Sequence, residues 1–463
     1  MSDVAAIAKN SMIQVAGKVL STVLGLIVIF LLGRAFTPAE FGQYTTVTTY
    51  LQFFGILVDF GLVLTTVQMI SKRDVDENKI IANLFTLRLV SAVIFLGIAP
   101  LVALNLHYAP EVKLGIAITS LSFLCVALNQ ILTGLFQKHL SVIWVAISEN
   151  AGRVALLIGT IVAITLGRGL IAVLIAVVLG SLVQFLVLLA ASRKYVRVHF
   201  AWDMAVWREI IERSWPIGVS IAFNLIYLRA DTLIVEAYFD DATVGYYGGA
   251  YRVIDILLMV PVMTMGVVLP ALTAAWDSRN TQRFTMLMQK TFDVFVSFIV
   301  PIAVGGWFTA TAVMTLIMGD AYAPAGPLLA VLLVGLAGAF VSTLFGHAVV
   351  AIDRQRKVLW IYAAVAAVTL LVYLVAIPRY GSIGGAWGTV LSEWLAAGLL
   401  AVHVTRATGL QLSLRGLMKV VFASVVMATV LWFLPASWPF LIVLGTGIVV
   451  YSGVLWVVRG FPV

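Results

Sequence analysis

The sequence predicts an all-α polytopic membrane protein of about 14 transmembrane helices, arranged as two six-helix lobes related by a pseudo-two-fold axis along the membrane normal, plus two C-terminal helices. Three observations predict it: an apolar composition, a regular succession of span-length apolar stretches, and an internal repeat. Of 463 residues, 62% are hydrophobic and 11% charged, with a mean hydropathy of +1.08. A soluble domain is about a quarter charged and under half apolar, and one core stops growing near roughly 250 to 300 residues. The excess therefore faces lipid. The formal net charge of +8 belongs in loops, where membrane insertion and anionic lipid favour it, so no nucleic-acid partner is expected. The single cysteine, Cys125, sits in an apolar run, which leaves neither a disulfide framework nor a C-x-x-C metal site.

A hydrocarbon core needs about 20 mostly apolar residues per helix. Stretches of that kind run approximately over 12–36, 43–70, 80–104, 114–136, 140–166, 169–191, 214–239, 250–276, 289–316, 324–352, 358–378, 381–404, 416–435 and 438–458. The first is longer than a signal-peptide apolar region and has no A-x-A-like site near its end, so it is expected to be retained. Alternate loops differ sharply in Lys and Arg: twenty fall on the side of the N-terminus, including Lys9, Lys138, Arg208 and Arg354. Only Arg34, Lys113, Arg168 and Arg379 fall on the other. Positive loops resist translocation, which predicts both termini in the cytoplasm. The longest inside connection, about 192–213, has room for one surface helix with Trp202, Trp207 and Ile211 among charges, but not for a catalytic domain.

Two stretches 203 positions apart read alike: Phe36-Thr-Pro-Ala-Glu-Phe-Gly-Gln-Tyr44 and Phe239-Asp-Asp-Ala-Thr-Val-Gly-Tyr-Tyr247. Phe36/Phe239, Ala39/Ala242, Gly42/Gly245 and Tyr44/Tyr247 coincide, and the same offset puts Ser11 on Ser214. Six spans, an even number, separate the copies, so the repeats are parallel. The expected organisation is an N-lobe over 1–200, a C-lobe over 201–405, and spans 13 and 14 over 406–463.

Eleven ionisable residues fall inside spans: Lys18, Asp59, Arg88, Glu149, Arg153, Arg229, Asp231, Glu236, Arg252, Asp255 and Glu393. At about 2.5–3.5 kcal/mol per mid-helix charge, exposing all to lipid costs roughly 30 kcal/mol, so they must pair, snorkel or face a hydrated cavity. Glu149 and Arg153, four apart, are expected to form a structural ion pair, as are Arg252 and Asp255 near a span end. Lys18 lies two turns from the cytoplasmic end, within reach of snorkelling. Asp59 and Glu393 suit helix capping or hydrogen bonding, and Asp59-Phe-Gly61 suits a bend. Arg229 and Asp231 point to opposite sides of one helix and need separate partners. Glu236 returns to the face of Arg229 about 10 Å along the axis. Arg88 has no acid within four residues, so it is expected to face a cavity. Arginine there recognises phosphate through a planar fork of donors, and an anionic lipid headgroup is the natural ligand.

Pro216, Pro261, Pro270 and Pro301 offer hinges, and Gly381-Ser-Ile-Gly-Gly-Ala-Trp-Gly388 offers a close-packing face. No phosphate loop, H-E-x-x-H or Cys/His cluster is present, so no metal or cofactor is expected. Asp74-Val-Asp76 resembles the D-x-D of glycosyltransferases but lies in a short charged loop, where a solvated turn is the better reading.

Several motifs in order carry a family resemblance. They are Thr37-Pro-Ala-Glu-Phe-Gly-Gln-Tyr44, Leu57-Val-Asp-Phe-Gly-Leu62, Gly134-Leu-Phe-Gln137, Ser214-Trp-Pro216, Arg229-Ala-Asp231, Val244-Gly-Tyr-Tyr-Gly-Gly-Ala-Tyr-Arg252, Gly319-Asp-Ala-Tyr322 and Ile377-Pro-Arg-Tyr-Gly-Ser-Ile-Gly-Gly-Ala386. Over about 10–405 the chain resembles the polysaccharide-transport family of the multidrug/oligosaccharidyl-lipid/polysaccharide flippase superfamily. The resemblance implies a transporter rather than an enzyme: a flippase for undecaprenyl-diphosphate-linked oligosaccharide, moving it to the outer leaflet for O-antigen (lipopolysaccharide), capsule or exopolysaccharide assembly. It implies alternating access in a prokaryotic inner membrane, coupling to a proton or sodium gradient or the membrane potential, and a monomer working beside polymerase and chain-length machinery. Lys18, Arg88 and Arg229 are then the expected substrate contacts, and Asp231, with Glu236 and Asp59, the coupling or gating acids. The alternatives are a peptidoglycan-precursor flippase, a cation-coupled multidrug exporter, and a membrane polymerase or ligase. The short, nearly uncharged outside loops argue against the last.

Overall fold

The computed structural model describes residues 2–62, 69, 76–139, 141–196, 199–435 and 438–460. Asp74 and Val75 of the D-x-D-like turn lie outside the described residues. Thirteen α-helices and no strand occur among the described residues. They are α1 (Ser2–Ala35), α2 (Pro38–Asp59), α3 (Glu77–Leu104), α4 (Pro110–Lys138), α5 (Ile143–Thr165), α6 (Gly169–Ser192), α7 (Met204–Tyr238), α8 (Asp241–Asp277), α9 (Thr281–Met318), α10 (Gly326–Ala351), α11 (Leu359–Thr408), α12 (Arg415–Trp432) and α13 (Phe440–Val457). Gly381, at φ 70° and ψ −160°, breaks α11 into two arms, 359–380 and 382–408, so the helical segments number fourteen. Eleven of the helical stretches, α11 counted once, are long and apolar enough to cross a membrane. The protein is a multi-pass membrane protein. α2 and α7 are the more polar members: α2 carries Thr45, Thr46, Thr48 and Thr49, and α7 carries Arg229, Asp231 and Glu236.

The chain forms two compact units. Unit 1 comprises residues 1–225 with Asp240–Gly245; unit 2 comprises Ile226–Phe239 with Tyr246–Val463. In unit 1, α5 packs on α6 and α1, while α4 packs on α2, α3 and α6. In unit 2, α10 packs on α9 and α11, and α12 joins α9 to α13. The unit 2 core is centred on α10, where Leu329, Leu333, Leu336, Phe340 and Leu344 are all buried.

The repeat has a structural counterpart at the starts of α2 and α8. Thr37 accepts from the Glu40 backbone N–H while the Glu40 carboxylate accepts from the Thr37 N–H, a capping box that satisfies two orphan donors. At the positions 203 residues on, Asp240 accepts from the Thr243 backbone at 3.1 Å. Within unit 1 the two glycines of the repeat are also reciprocal. A Cβ at Gly42 would lie 1.8 Å from the Asp241 carbonyl oxygen, and one at Gly245 would lie 1.8 Å from the Pro38 carbonyl oxygen. No other residue type fits either place.

The predicted bend is present: Phe60 (φ 38°) and Gly61 (φ 79°) are left-handed and close α2. The expected surface helix over 192–213 does not form as a separate element. α7 starts at Met204, where the Asp203 carboxylate accepts from the N–H groups of Ala205 and Val206, and runs through Arg213 to Tyr238. Its exposed first turns pair Arg208 with Glu212 and Glu209 with Arg213 at i, i+4, which favours continuing the helix. Helix also continues through Pro261 and Pro270 in α8 and Pro301 in α9. The glycine run after Gly381 packs the two arms of α11 together: a Cβ at Gly384 would meet the Ala376 oxygen at 2.4 Å, and one at Gly388 the Tyr373 ring at 2.6 Å.

Candidate functional site: the intramembrane charges of the two units

In unit 1, Arg88 is 1% exposed and spends its donors on protein. Its Nε donates to the Ala127 carbonyl at 3.2 Å. Nη1 donates to the carbonyls of Val58 (3.3 Å) and Asp59 (3.0 Å) and to the Asp59 carboxylate (2.6 Å), and Nη2 donates to Gln130. The carbonyls of Val58 and Asp59 are the unpartnered last turn of α2, so Arg88 ties the end of α2 to α3 and α4. This corrects the cavity-facing expectation. Asp59 lies 29 positions away, and a search along one helix cannot find it. Asp59 is correspondingly the counter-ion of this staple.

Lys18 pairs with Glu149 at 2.9 Å, and Ser21 donates to the same carboxylate oxygen at 2.8 Å. The expected Glu149–Arg153 pair is therefore replaced by a bond across to α1. Lys18 keeps 44% of its side-chain surface exposed.

Unit 2 resolves the Arg229/Asp231 opposition. Arg229 forms an ion pair through Nη2 with Asp255, and its guanidinium carbon sits 4.9 Å above the centroid of the Tyr251 ring. Asp255 is thus taken by Arg229, which overturns the expected Arg252–Asp255 pair; Arg252 engages other groups. Among the described residues Asp255 is the one hydrogen-bond acceptor of Arg229, and 23% of its side chain is exposed. Glu236 is half-buried farther along α7.

On the opposite side of α7, Asp231 is fully buried without an ion pair. It accepts instead from the Thr232 N–H (2.7 Å), Tyr247 OH (2.7 Å), Tyr251 OH and Thr389 Oγ1 (3.1 Å). Tyr373 OH donates to the Tyr227 carbonyl at 3.1 Å and lies 3.0 Å from Thr389 Oγ1. The sequence reading missed this hydroxyl shell. Its signal was the i, i+4 pair Tyr247/Tyr251, which puts two phenols on one face of α8. Glu393, one turn beyond Thr389 on α11, is also buried and has one hydrogen-bond partner among the described residues, Ser342 at 3.2 Å. Among the described residues no group of three or more His, Cys, Asp and Glu side chains could hold a metal.

The arrangement therefore separates spent cations from available ones. Arg88 is enclosed, whereas Lys18 and Arg229 each combine one carboxylate partner with accessible surface.

Comparisons with known proteins agree with this architecture. The chain is 26% identical over 308 residues to the succinoglycan biosynthesis transport protein ExoT of Rhizobium meliloti (strain 1021), covering 65% of this chain and 60% of that protein's length. It superposes on the lipid II flippase MurJ in an inward closed conformation with a TM-score of 0.80 at 16% identity, over 96% of this chain and 98% of that one. An inward-facing multidrug resistance MATE family transporter of the MOP superfamily gives a TM-score of 0.70 at 13% identity, over 86% of this chain and 98% of that one. These likenesses show a flippase and transporter fold. Residues 7–276 match the model of the polysaccharide biosynthesis protein family, and the chain belongs to that family.

Proposed function

We propose that the protein is a flippase that carries polyprenyl-diphosphate-linked oligosaccharide from the cytoplasmic to the outer leaflet by alternating access, for O-antigen, capsule or exopolysaccharide assembly. The observation that carries the reading is Arg229, an intramembrane guanidinium with one carboxylate partner and unspent donors. A diphosphate is the complementary group, since its oxygens accept from a planar fork. Lys18 is the second cation of this kind, and its pairing with Glu149 leaves a partner that an incoming phosphate displaces. Arg88 takes a structural role in this scheme. Its donors are spent.

Membership of the polysaccharide biosynthesis family supports the glycan part of the substrate. The bias of Lys and Arg toward one set of loops supports cytoplasmic termini in the inner membrane of a prokaryote. The protein acts as a monomer beside polymerase and chain-length machinery, driven by a proton or sodium gradient or the membrane potential.

The test is leaflet-resolved access of a labelled polyprenyl-diphosphate oligosaccharide in proteoliposomes. Wild type moves the label. Arg229→Ala slows it about tenfold or more, the worth of a charge-assisted hydrogen bond. Export of a drug-like cation with no movement of the glycan lipid under any gradient overturns the reading. The likeness to a lipid II flippase over 96% of the chain favours a second substrate, a peptidoglycan lipid precursor, and competition between the two lipids in the same vesicles separates them.

A further inference from the structure

Glu393 is 5% exposed on the second arm of α11, and the reason lies on α10. Gly335, Gly338 and Ser342 share a face there, three and four residues apart. A Cβ at Gly338 would come within 3.1 Å of the Glu393 carbonyl carbon, and one at Gly335 within 3.4 Å of the Val390 Cα. Two missing side chains let the helices approach, and Glu393 is largely buried beside them.

What it finds there is sparse. Ser342 donates to Oε2 at 3.2 Å, and among the described residues no donor meets Oε1, which keeps a small accessible surface. An ionised carboxylate offers about four acceptor sites, and one held largely out of water with a single neutral donor is poorly compensated. Asp231 is the contrast within the same unit, since four hydroxyls and a backbone N–H meet its carboxyl.

The neighbouring polar groups supply no cation. On α10, Ser342 is the partner, and His347 is bound through Nδ1 to the Thr343 carbonyl. The first arm of α11 contributes Tyr373, engaged by Tyr227 and Thr389. From α7, Asp231 bonds Thr389, and Arg229 pairs with Asp255. The histidine on its own arm, His403, is ten residues on. A metal ion fits poorly as the missing partner, because Glu393 and Ser342 offer three oxygens where a hard cation takes six or more.

We infer that Glu393 is the proton-binding site of unit 2, taking up and returning one proton in each transport cycle. The inference rests on the transporter reading and deepens it by naming the proton as the coupling ion. On uptake an O–H bond forms at Glu393 from a proton delivered by water; on release that bond breaks and the proton returns to water, with no other bond altered. The neutral acid suits the closed α10–α11 contact. The ionised form draws on water at Oε1.

The test is infrared spectroscopy of the full chain in lipid nanodiscs, following the C=O stretch of protonated carboxyls through a pH titration. The expected band is lost in Glu393→Gln, kept in Asp231→Asn, shifted in frequency by Ser342→Ala, and unchanged when sodium is replaced by choline. Glutamine has the shape of the neutral acid, so folding is preserved, and the Ser342→Ala shift is an independent readout. A band absent from wild type, untouched by Glu393→Gln, or lost in Asp231→Asn overturns the assignment. In proteoliposomes Glu393→Gln is expected to lose stimulation of flipping by an imposed proton gradient; stimulation that persists overturns the coupling role. A wild type with the band but no glycan-lipid movement leaves the proton site standing and removes the substrate reading instead.

Discussion

Arg88 in unit 1 and Arg229 in unit 2 are both guanidiniums inside expected membrane spans, each paired with an aspartate, yet their surroundings differ. Arg88 bonds five acceptors, two of them the last carbonyls of α2. Arg229 has one carboxylate, one aromatic face and open surface. What separates the two arginines is therefore the number of donors left over, and the proposed substrate contact of Arg229 rests on that difference. The presence of an acidic partner does not decide it.

Four measurements would break or sharpen that contrast. Arg88→Ala leaves Asp59 and the α2 carbonyls unpaired in a buried place and is expected to destabilise the protein by about 3–5 kcal/mol, read as a fall in thermal unfolding temperature in nanodiscs. Arg88→Lys should recover only part of this, because an ammonium cannot reproduce the fork. Arg229→Ala should cost only about 1–2 kcal/mol, since the pair is partly exposed, while abolishing most glycan-lipid movement. If Arg229→Ala unfolds the protein and Arg88→Ala does not, the roles are reversed. Lys18→Ala is expected to cost under about 1 kcal/mol and to weaken transport less than Arg229→Ala does, with the comparison made in the same vesicles.

The smallest effect belongs to the surface pair Lys79–Asp203, 2.7 Å apart. The hydrogen bond from Lys79, with backbone bonds from Val206 and Ala205, holds the Asp203 carboxyl below its ordinary value. A depressed folded-state value contributes stability above the usual carboxylate range and loses it as pH falls through that lower value. Asp203→Asn should flatten this acidic limb of the stability profile slightly and leave neutral-pH transport unchanged.

The fold was legible because the bilayer imposes one length and one polarity on every span. The repeat was legible because Gly42 and Gly245 each face a backbone that tolerates no side chain. The separation of Arg229 from Asp231 followed from helical geometry alone. The partners did not follow. Asp59 for Arg88, Lys18 for Glu149 and Asp255 for Arg229 lie 29, 131 and 26 positions away, and helix periodicity carries no information about which faces meet. Glu393 was visible as a charge in a span, but its enclosure depends on α10 glycines more than 50 positions earlier in the chain.

The break at Gly381 bears on how the protein is made. Arms 359–380 and 382–408 are joined by a single non-helical residue, which favours their insertion together as a hairpin. In that hairpin Tyr373 on the first arm already reaches Thr389 on the second, so part of the polar surface of the second arm is covered before α12 has been synthesised.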